Sequence, residues 1–397
     1  MQEFTPLQYL QIDIANLAGK DKLSWDDRLL WFKENEHDLL SLTEKADKPH
    51  QYYAAVLNYP QVAAGAVNYH PIALDATSSG TQILSCLICD RKAAEYCNVL
   101  NTGTRRDAYT DLYKLLSDEI GENPMITREK LKKAIMTSLY GSQSTPEELF
   151  GEYVEDFYKL MERECPLIWQ VNMFLTDNWN GTVDRYGWVM PDNFHVDIKV
   201  HNQREINFKF CGSDFTSTVQ VNAPNQYGRA YSANVTHSTD SLIVREITAL
   251  AMHNPKQIAK IKALLDGKYV NEAIHEEDNE LVEILANRAK ATNFLSARVL
   301  DHLNSENIKL VNEQDLRDLL TLVPAKPFEC LWVHDSAHVL PNYGNDLRKL
   351  YIAQLAKIAK SDLLQFILNQ MPIEYTKVHK GDPNMWKDVL DSEYALS

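Results

Sequence analysis

Basic charge is what this sequence of 397 residues is short of: 40 lysines and arginines stand against 55 aspartates and glutamates, a net charge of −15. Such a balance repels nucleic acid at long range, so a nucleic-acid enzyme built this way needs a locally basic channel or a basic partner. The sequence also lacks any run long and apolar enough to cross a bilayer, and its N-terminus has no basic region followed by an apolar core. Both absences predict a protein of the cytoplasm, with no role for a membrane. Its six cysteines are irregularly spaced, which argues against a disulfide framework and fits a reducing compartment. Cys86 and Cys89 form one C-x-x-C with no second pair at a zinc-site spacing, and core packing is the expected role. No low-complexity tract or tandem repeat is present, so a chain that is 45% hydrophobic and 24% charged is expected to form two or three lobes of one interwoven fold.

Three stretches carry chemistry. In the first, Ile72-Ala73-Leu74 reads as a short buried strand ending on Asp75, and Gly80 with small polar neighbours turns the chain into a helix with Ile83, Leu84, Leu87 and Ile88 at helical spacing. An acid after a strand also serves as a helix cap, so this stretch alone does not decide the role of Asp75. In the second, Arg128 to Gly141, steps of four place Arg128, Lys132, Met136 and Tyr140 on one helical stripe. Two cations and an aromatic on one stripe suit a triphosphate at one end and a sugar or base at the other, although a solvated basic helix reads the same way. In the third, Cys330 to Val333 and His338 to Leu340 read as two strands with His334-Asp335-Ser336 at the bend, a good place to hold a metal.

Taken together the stretches resemble the single-subunit DNA-dependent RNA polymerases of bacteriophages and mitochondria. Motif A of that family matches Asp75 to Gln82, motif B matches Arg128 to Gly141, and motif C, His-Asp-Ser, matches 334 to 336. The resemblance implies a helix-rich α+β fold, a right-hand palm and fingers. The palm would comprise 1–103 and 238–397, and the fingers 104–237 with a specificity-type β-hairpin at about 205–222. On this resemblance the N-terminal domain and thumb of the family would have no counterpart. This looks like the larger subunit of the heterodimeric middle-gene RNA polymerases of N-four-like bacteriophages, in which a second, smaller subunit supplies the missing part; that partner would also supply basic surface.

The resemblance assigns roles residue by residue. Asp75 and Asp335, with the backbone carbonyl of Ala76, would hold two Mg²⁺ ions, and Lys132 would be the third catalytic residue, offsetting charge on the triphosphate and protonating the leaving group. Arg128, Lys22 and Tyr109 would bind the nucleotide, and Tyr140 with His237 would sense the ribose. Lys22 is equally read as a loose surface lysine. Gly80 stands where related DNA polymerases carry a glutamate that blocks the 2′-hydroxyl, and those relatives usually read His-Asp-Glu in motif C. The expected function is therefore DNA-directed RNA synthesis in an infected bacterial cytoplasm, with DNA template, nascent RNA and ribonucleoside triphosphates as partners and a single-stranded-DNA-binding helper as a further candidate. The alternatives are a family A-like DNA polymerase or a non-catalytic, polymerase-like nucleic-acid-binding subunit. Ala337-His338 departs from the phage pattern.

Elsewhere, Ser24 is the expected start of a helix, and Thr145 to Leu175 reads as a helical pair with a break at Pro166. The hairpin would offer Asn207, Lys209, Thr216, Thr218 or Gln220 to a major groove, or serve only as structure. The tail, with Trp386, Val389, Leu390 and Tyr394 as an apolar stripe, is expected to dock towards the active centre, against the bland alternative of a frayed end.

Overall fold

The computed structural model describes every residue except 68, 122, 124, 269, 375 and 376. Thr5 opens α1 (Pro6–Ala15) in a reciprocal capping box with Gln8. A π-helical turn, Asn16–Lys20, with Gly19 at φ +83° leads to α2 (Trp25–Asn35), whose cap is Ser24, as its sequence predicts. With α3 (Pro49–Ala63) these helices enclose a small core of Leu10, Ile14, Phe32 and Tyr52.

The chain then enters β1 (Ile72–Asp75) and turns into α4 (Ser79–Ile88). Every residue of α4 from Thr81 onward is buried, so this helix is the axis of the main core. Helices α5 (Arg91–Tyr96), α6 (Ala108–Ile120) and α7 (Arg128–Leu139) follow. Between 144 and 177 the sequence predicts two helices and the structure has three: α8 (Ser144–Phe150), α9 (Val154–Glu164) and α10 (Pro166–Asp177). Gly151, at φ +53°, makes the extra break, and Pro166 starts α10 because its missing N–H is one the first turn leaves unpaired anyway.

Two antiparallel hairpins come next, β2 (Arg185–Val189) with β3 (His195–Lys199) and β4 (His201–Phe210) with β5 (Ser213–Asn222). The second is longer than its sequence predicts, starting at 201, and closes on Cys211 and Gly212, both at positive φ, as a tight two-residue turn demands. In its register Asn207 faces Thr216 and Phe208 faces Phe215. The remaining helices are α11 (Tyr231–Ala251), α12 (Pro255–Leu265), α13 (Glu276–Thr292), α14 (Glu313–Thr321), α15 (Gly344–Lys360), α16 (Leu363–Leu368) and α17 (Met385–Val389). Between α14 and α15 lie β6 (Leu331–Val333) and β7 (Ser336–Val339). Ser336 opens a strand where a bend is expected, because His334 in the left-handed region closes the turn in two residues.

One three-stranded sheet joins both ends of the chain, in the order β1-β7-β6 with both pairings antiparallel. Helices α10, α11 and α15 pack on α4, leaving Ile83, Leu84 and Leu87 no more than 1% exposed. Each such burial contributes about 1.5–3 kcal/mol. Gln82 is the polar exception in this helix, fully buried yet satisfied. Its Nε2 donates to Thr77 Oγ1 (3.0 Å) and to the carbonyls of Cys97 (3.0 Å) and Ala395 (2.9 Å), while its Oε1 accepts from Tyr351 Oη (2.8 Å). The tail is docked. The amide of Ser397 donates to the Asp75 carbonyl at 2.9 Å, and Tyr394 stacks on Trp25 with ring centroids 5.5 Å apart. Val389 is buried as expected, whereas Leu390 is 49% exposed. Among the described residues no helix is long and apolar enough to cross a membrane.

Candidate active site

Pairing of β1 with β7 brings two distant acids together. Asp75 pairs with Ser336, and the amide of Ala76 donates to the carbonyl of Asp335 at 3.4 Å. Both carboxylates border one cavity of about 470 Å³, which Ala76 also lines. Burial and the neighbouring charge of Asp335 raise the pKa of Asp75, while Lys48, another lining residue, pulls it down. A third acid, Asp240 on α11, is pushed up to about 6 by burial and by Asp335.

Helix α7 forms part of the wall, and its stripe of Arg128, Lys132 and Met136, with Tyr140 just beyond it, borders the cavity. Arg128 is anchored to the start of α6: its Nη2 donates to Asp107 at 2.6 Å and its Nε to Thr110 Oγ1 at 2.8 Å. Burial works to raise the pKa of Asp107, but the bonds from Thr110 and Arg128 bring it below the usual carboxylate range. Lys132 sits over the Tyr109 ring, 5.3 Å from its centroid, and the Tyr109 hydroxyl lies 3.1 Å from Ser78 Oγ, with burial raising the phenol. Tyr140 caps α7, and its hydroxyl comes within 2.9 Å of the point a Cβ on Gly80 would occupy. Its ring lies 5.1 Å from that of His237, whose pKa burial lowers.

The structure thus gathers Asp75, Ala76, Gly80 and Asp335 around one cavity with Tyr109, Arg128, Lys132 and Tyr140. Lys22 borders the same cavity, and His237 adjoins it through Tyr140. Sequence reasoning missed Asp107, Lys48, Arg105 and Asp240. The Asp-Ala-Tyr-Thr pattern at 107–110 was a legible cap, and Asp107 accepts from the amides of Tyr109 and Thr110. No local pattern marks the other three.

Two carboxylates and a backbone carbonyl form an oxygen-only donor set, which suits Mg²⁺. Among the described residues no three His, Cys, Asp or Glu side chains gather to hold a metal by themselves.

An acidic pair that shares a cavity with a cationic helix has the charge arrangement phosphoryl transfer needs. Residues 3–180 match the family model described as DNA-dependent RNA polymerase, a span that includes Asp75 and all of α7 and stops short of His237 and Asp335. A probable DNA-directed RNA polymerase of Neurospora crassa is 27% identical over 198 residues, 45% of this chain and 20% of that protein. The DNA-directed RNA polymerase of Enterobacteria phage K11 is 29% identical over 126 residues, 29% of this chain and 14% of its own length. T7 RNA polymerase of Escherichia phage T7 is 25% identical over 122 residues, 28% of this chain and 14% of its own length. These matches support the single-subunit RNA polymerase family of phage and mitochondrial type. The aligned chain spans a fifth or less of each of these relatives.

Proposed function

We propose that this chain is the catalytic subunit of a DNA-directed RNA polymerase, joining ribonucleoside triphosphates on a DNA template by two-metal nucleotidyl transfer. The observation that carries this reading is the pairing of β1 with β7, which brings Asp75 and Asp335 to one cavity that Lys132 and Arg128 also line. In this reading 1–103 and 238–397 form the palm and 104–237 the fingers. Asp75, Asp335 and the Ala76 carbonyl would hold two Mg²⁺ ions. When bound, these lower the pKa of the attacking 3′-hydroxyl and neutralise the departing pyrophosphate.

The chain's own side chains do the rest. Lys132 offsets charge on the triphosphate and delivers a proton to the leaving oxygen, aided by Arg128 and Lys22. Tyr109 fixes Lys132 from below through its ring. Gly80 leaves space for the Tyr140 hydroxyl, which with the neutral His237 reads the ribose. The β4–β5 hairpin contacts template DNA, and a second, smaller subunit supplies the basic surface that a chain of charge −15 lacks. A single-stranded-DNA-binding helper and an infected bacterial cytoplasm complete the setting.

The test is primer extension on a single-stranded template with Mg²⁺, with the chain alone and with its co-purifying partner. Extension by ribonucleotides is expected, rising with the partner. Extension only with deoxyribonucleotides would replace this reading with a DNA polymerase, and none under any condition with a binding subunit.

A further inference from the structure

Arg105 lies between α5 and α6, and its side chain forms part of the wall of the cavity that Asp75 and Asp335 border. Its Nε is shut off from solvent and has no hydrogen-bond partner. Among the described residues the guanidinium makes no hydrogen bond or ion pair at all. The other two arginines of the wall are already engaged. Arg106 donates to Asp111 at 2.9 Å and stacks on Tyr96, and Arg128 is held by Asp107 and Thr110. Arg105 alone among the three presents an open fork of donors.

Leaving a guanidinium half-buried and unpaired is unfavourable, since desolvation is not offset by any bond. Burial duly lowers its pKa, against the pull of the Asp21 and Asp107 carboxylates. Those acids are near enough to steady the charge, but neither bonds to it. A planar fork that faces a polar cavity and lacks an internal acceptor is matched to a tetrahedral oxyanion supplied from outside. Its place in the cavity narrows the choice. Asp107, two residues further along, holds Arg128 at the first residue of α7, whereas Tyr140, at the other end of that helix, rests against Gly80 at the start of α4, just after Asp75. The oxyanion it meets therefore lies away from the carboxylate pair where bond formation would occur, at the far end of a polyphosphate.

We propose that Arg105 is a further substrate-binding residue, which grips the terminal phosphate of the incoming nucleoside triphosphate. This rests on the nucleotidyl-transfer reading of the same cavity and adds to it the group that distinguishes a triphosphate from a monophosphate.

The experiment titrates the full chain with ATP, AMP and inorganic tripolyphosphate, in wild type, Arg105→Met and Arg105→Lys, with thermal melting and primer extension alongside. Arg105→Met should weaken ATP and tripolyphosphate by about tenfold to a hundredfold, the worth of a lost charge-assisted bond, and leave AMP unchanged. Arg105→Lys, which keeps the charge without the fork, should fall between. Neither variant should melt below wild type, since no internal bond is lost. In extension the loss should appear in the KM for the nucleotide more than in kcat. Unchanged ATP binding in Arg105→Met, an equal loss for ATP and AMP, or no binding of either polyphosphate by wild type would overturn the assignment. Tripolyphosphate binding that depends on Arg105 in a chain that extends no primer would leave the phosphate site standing and remove the polymerase reading. Extension with an unaltered KM in Arg105→Met would do the reverse.

Discussion

A Cβ placed on Gly80 would lie 2.9 Å from the phenolic oxygen of Tyr140, closer than a carbon and an oxygen without a shared hydrogen approach. The glycine at the start of α4 and the tyrosine at the end of α7 are therefore one device: the first sets where the hydroxyl of the second rests. Gly80→Ala should displace that hydroxyl, and Tyr140→Phe should delete it while keeping the ring against His237 at 5.1 Å. Both should lower the preference for ribo- over deoxyribonucleotides, Tyr140→Phe by about two- to tenfold, the worth of one neutral hydrogen bond. Competing incorporation of the two sugars measures this. An unchanged ratio in Tyr140→Phe would remove the residue from sugar selection.

Asp75 and Asp335 should separate activity from stability. Each Asp→Asn variant is expected to abolish nucleotide addition. Neither should melt earlier than wild type in metal-free buffer, because each substitution relieves the repulsion that helps to raise Asp75. Primer extension with paired melting curves checks both halves. Turnover retained in either variant would remove that carboxylate from the metal site.

How much of this was legible before folding depends on the range over which each signal acts. Local chemistry was readable: the Ser24 cap, the α7 stripe from Arg128 to Tyr140, the strand ending on Asp75 and the acid at the β6–β7 turn all stand where the sequence puts them. The start of β7 slipped by two residues, from 338 to 336, because turn geometry at His334, rather than the apolar pattern, fixes where pairing begins. The meeting of Asp75 with Asp335 depends on strand pairing between distant segments, and within the sequence only the family resemblance pointed to it. Asp240 and Arg105 were not legible at all. Their significance lies in burial and missing partners, and neither property leaves a mark on spacing or composition.

Gln82 shows the cost of such tertiary bonding. Its side chain serves Thr77, Cys97, Ala395 and Tyr351 at once, so it ties motif A, the segment after α5, the tail and α15 into one unit. Gln82→Leu fills similar volume but strands those partners, at about 1–3 kcal/mol for each group left without water. A loss of about 2–4 kcal/mol in urea unfolding is expected, with earlier proteolysis of the tail at 385–397. A loss below about 1 kcal/mol would mean that water replaces the amide.

Asp240 gives a pH dependence with a definite sign. Its folded pKa of about 6 lies above the ordinary value of about 3.9 for an aspartate, so the folded state holds the proton more tightly. Below pH 4 the group is protonated in both states and contributes nothing. As pH rises from 4 to 6 the unfolded state ionises first, and stability falls; above 6 the penalty is complete. Asp240→Asn removes it. The variant should equal wild type near pH 4 and exceed it by about 1–3 kcal/mol at pH 8 without divalent metal. Denaturant unfolding at both pH values tests this, and an identical gain at each would show that ionisation is not the cause.

The β4–β5 hairpin sorts its side chains onto two faces with different consequences. Its register places Asn207, Lys209, Thr216, Thr218 and Gln220 together on one face, with Asn207 accepting from Thr216 at 2.6 Å. Ile206, Phe208, Phe210 and Phe215 share the other face and are all at least 44% exposed. The first face carries five side chains able to meet base edges in a major groove, while the second sets Arg204 and Ser217 among its four apolar side chains. A Lys209→Ala, Gln220→Ala double variant should therefore keep primer extension on single-stranded DNA within about twofold of wild type. On duplex templates it should lose the preference for one start sequence over another by about tenfold or more, as each lost base contact is worth about 1–3 kcal/mol. Start-site mapping on a randomised duplex library measures that preference. If it survives intact, the hairpin is a structural arm and sequence is read by another part of the assembly.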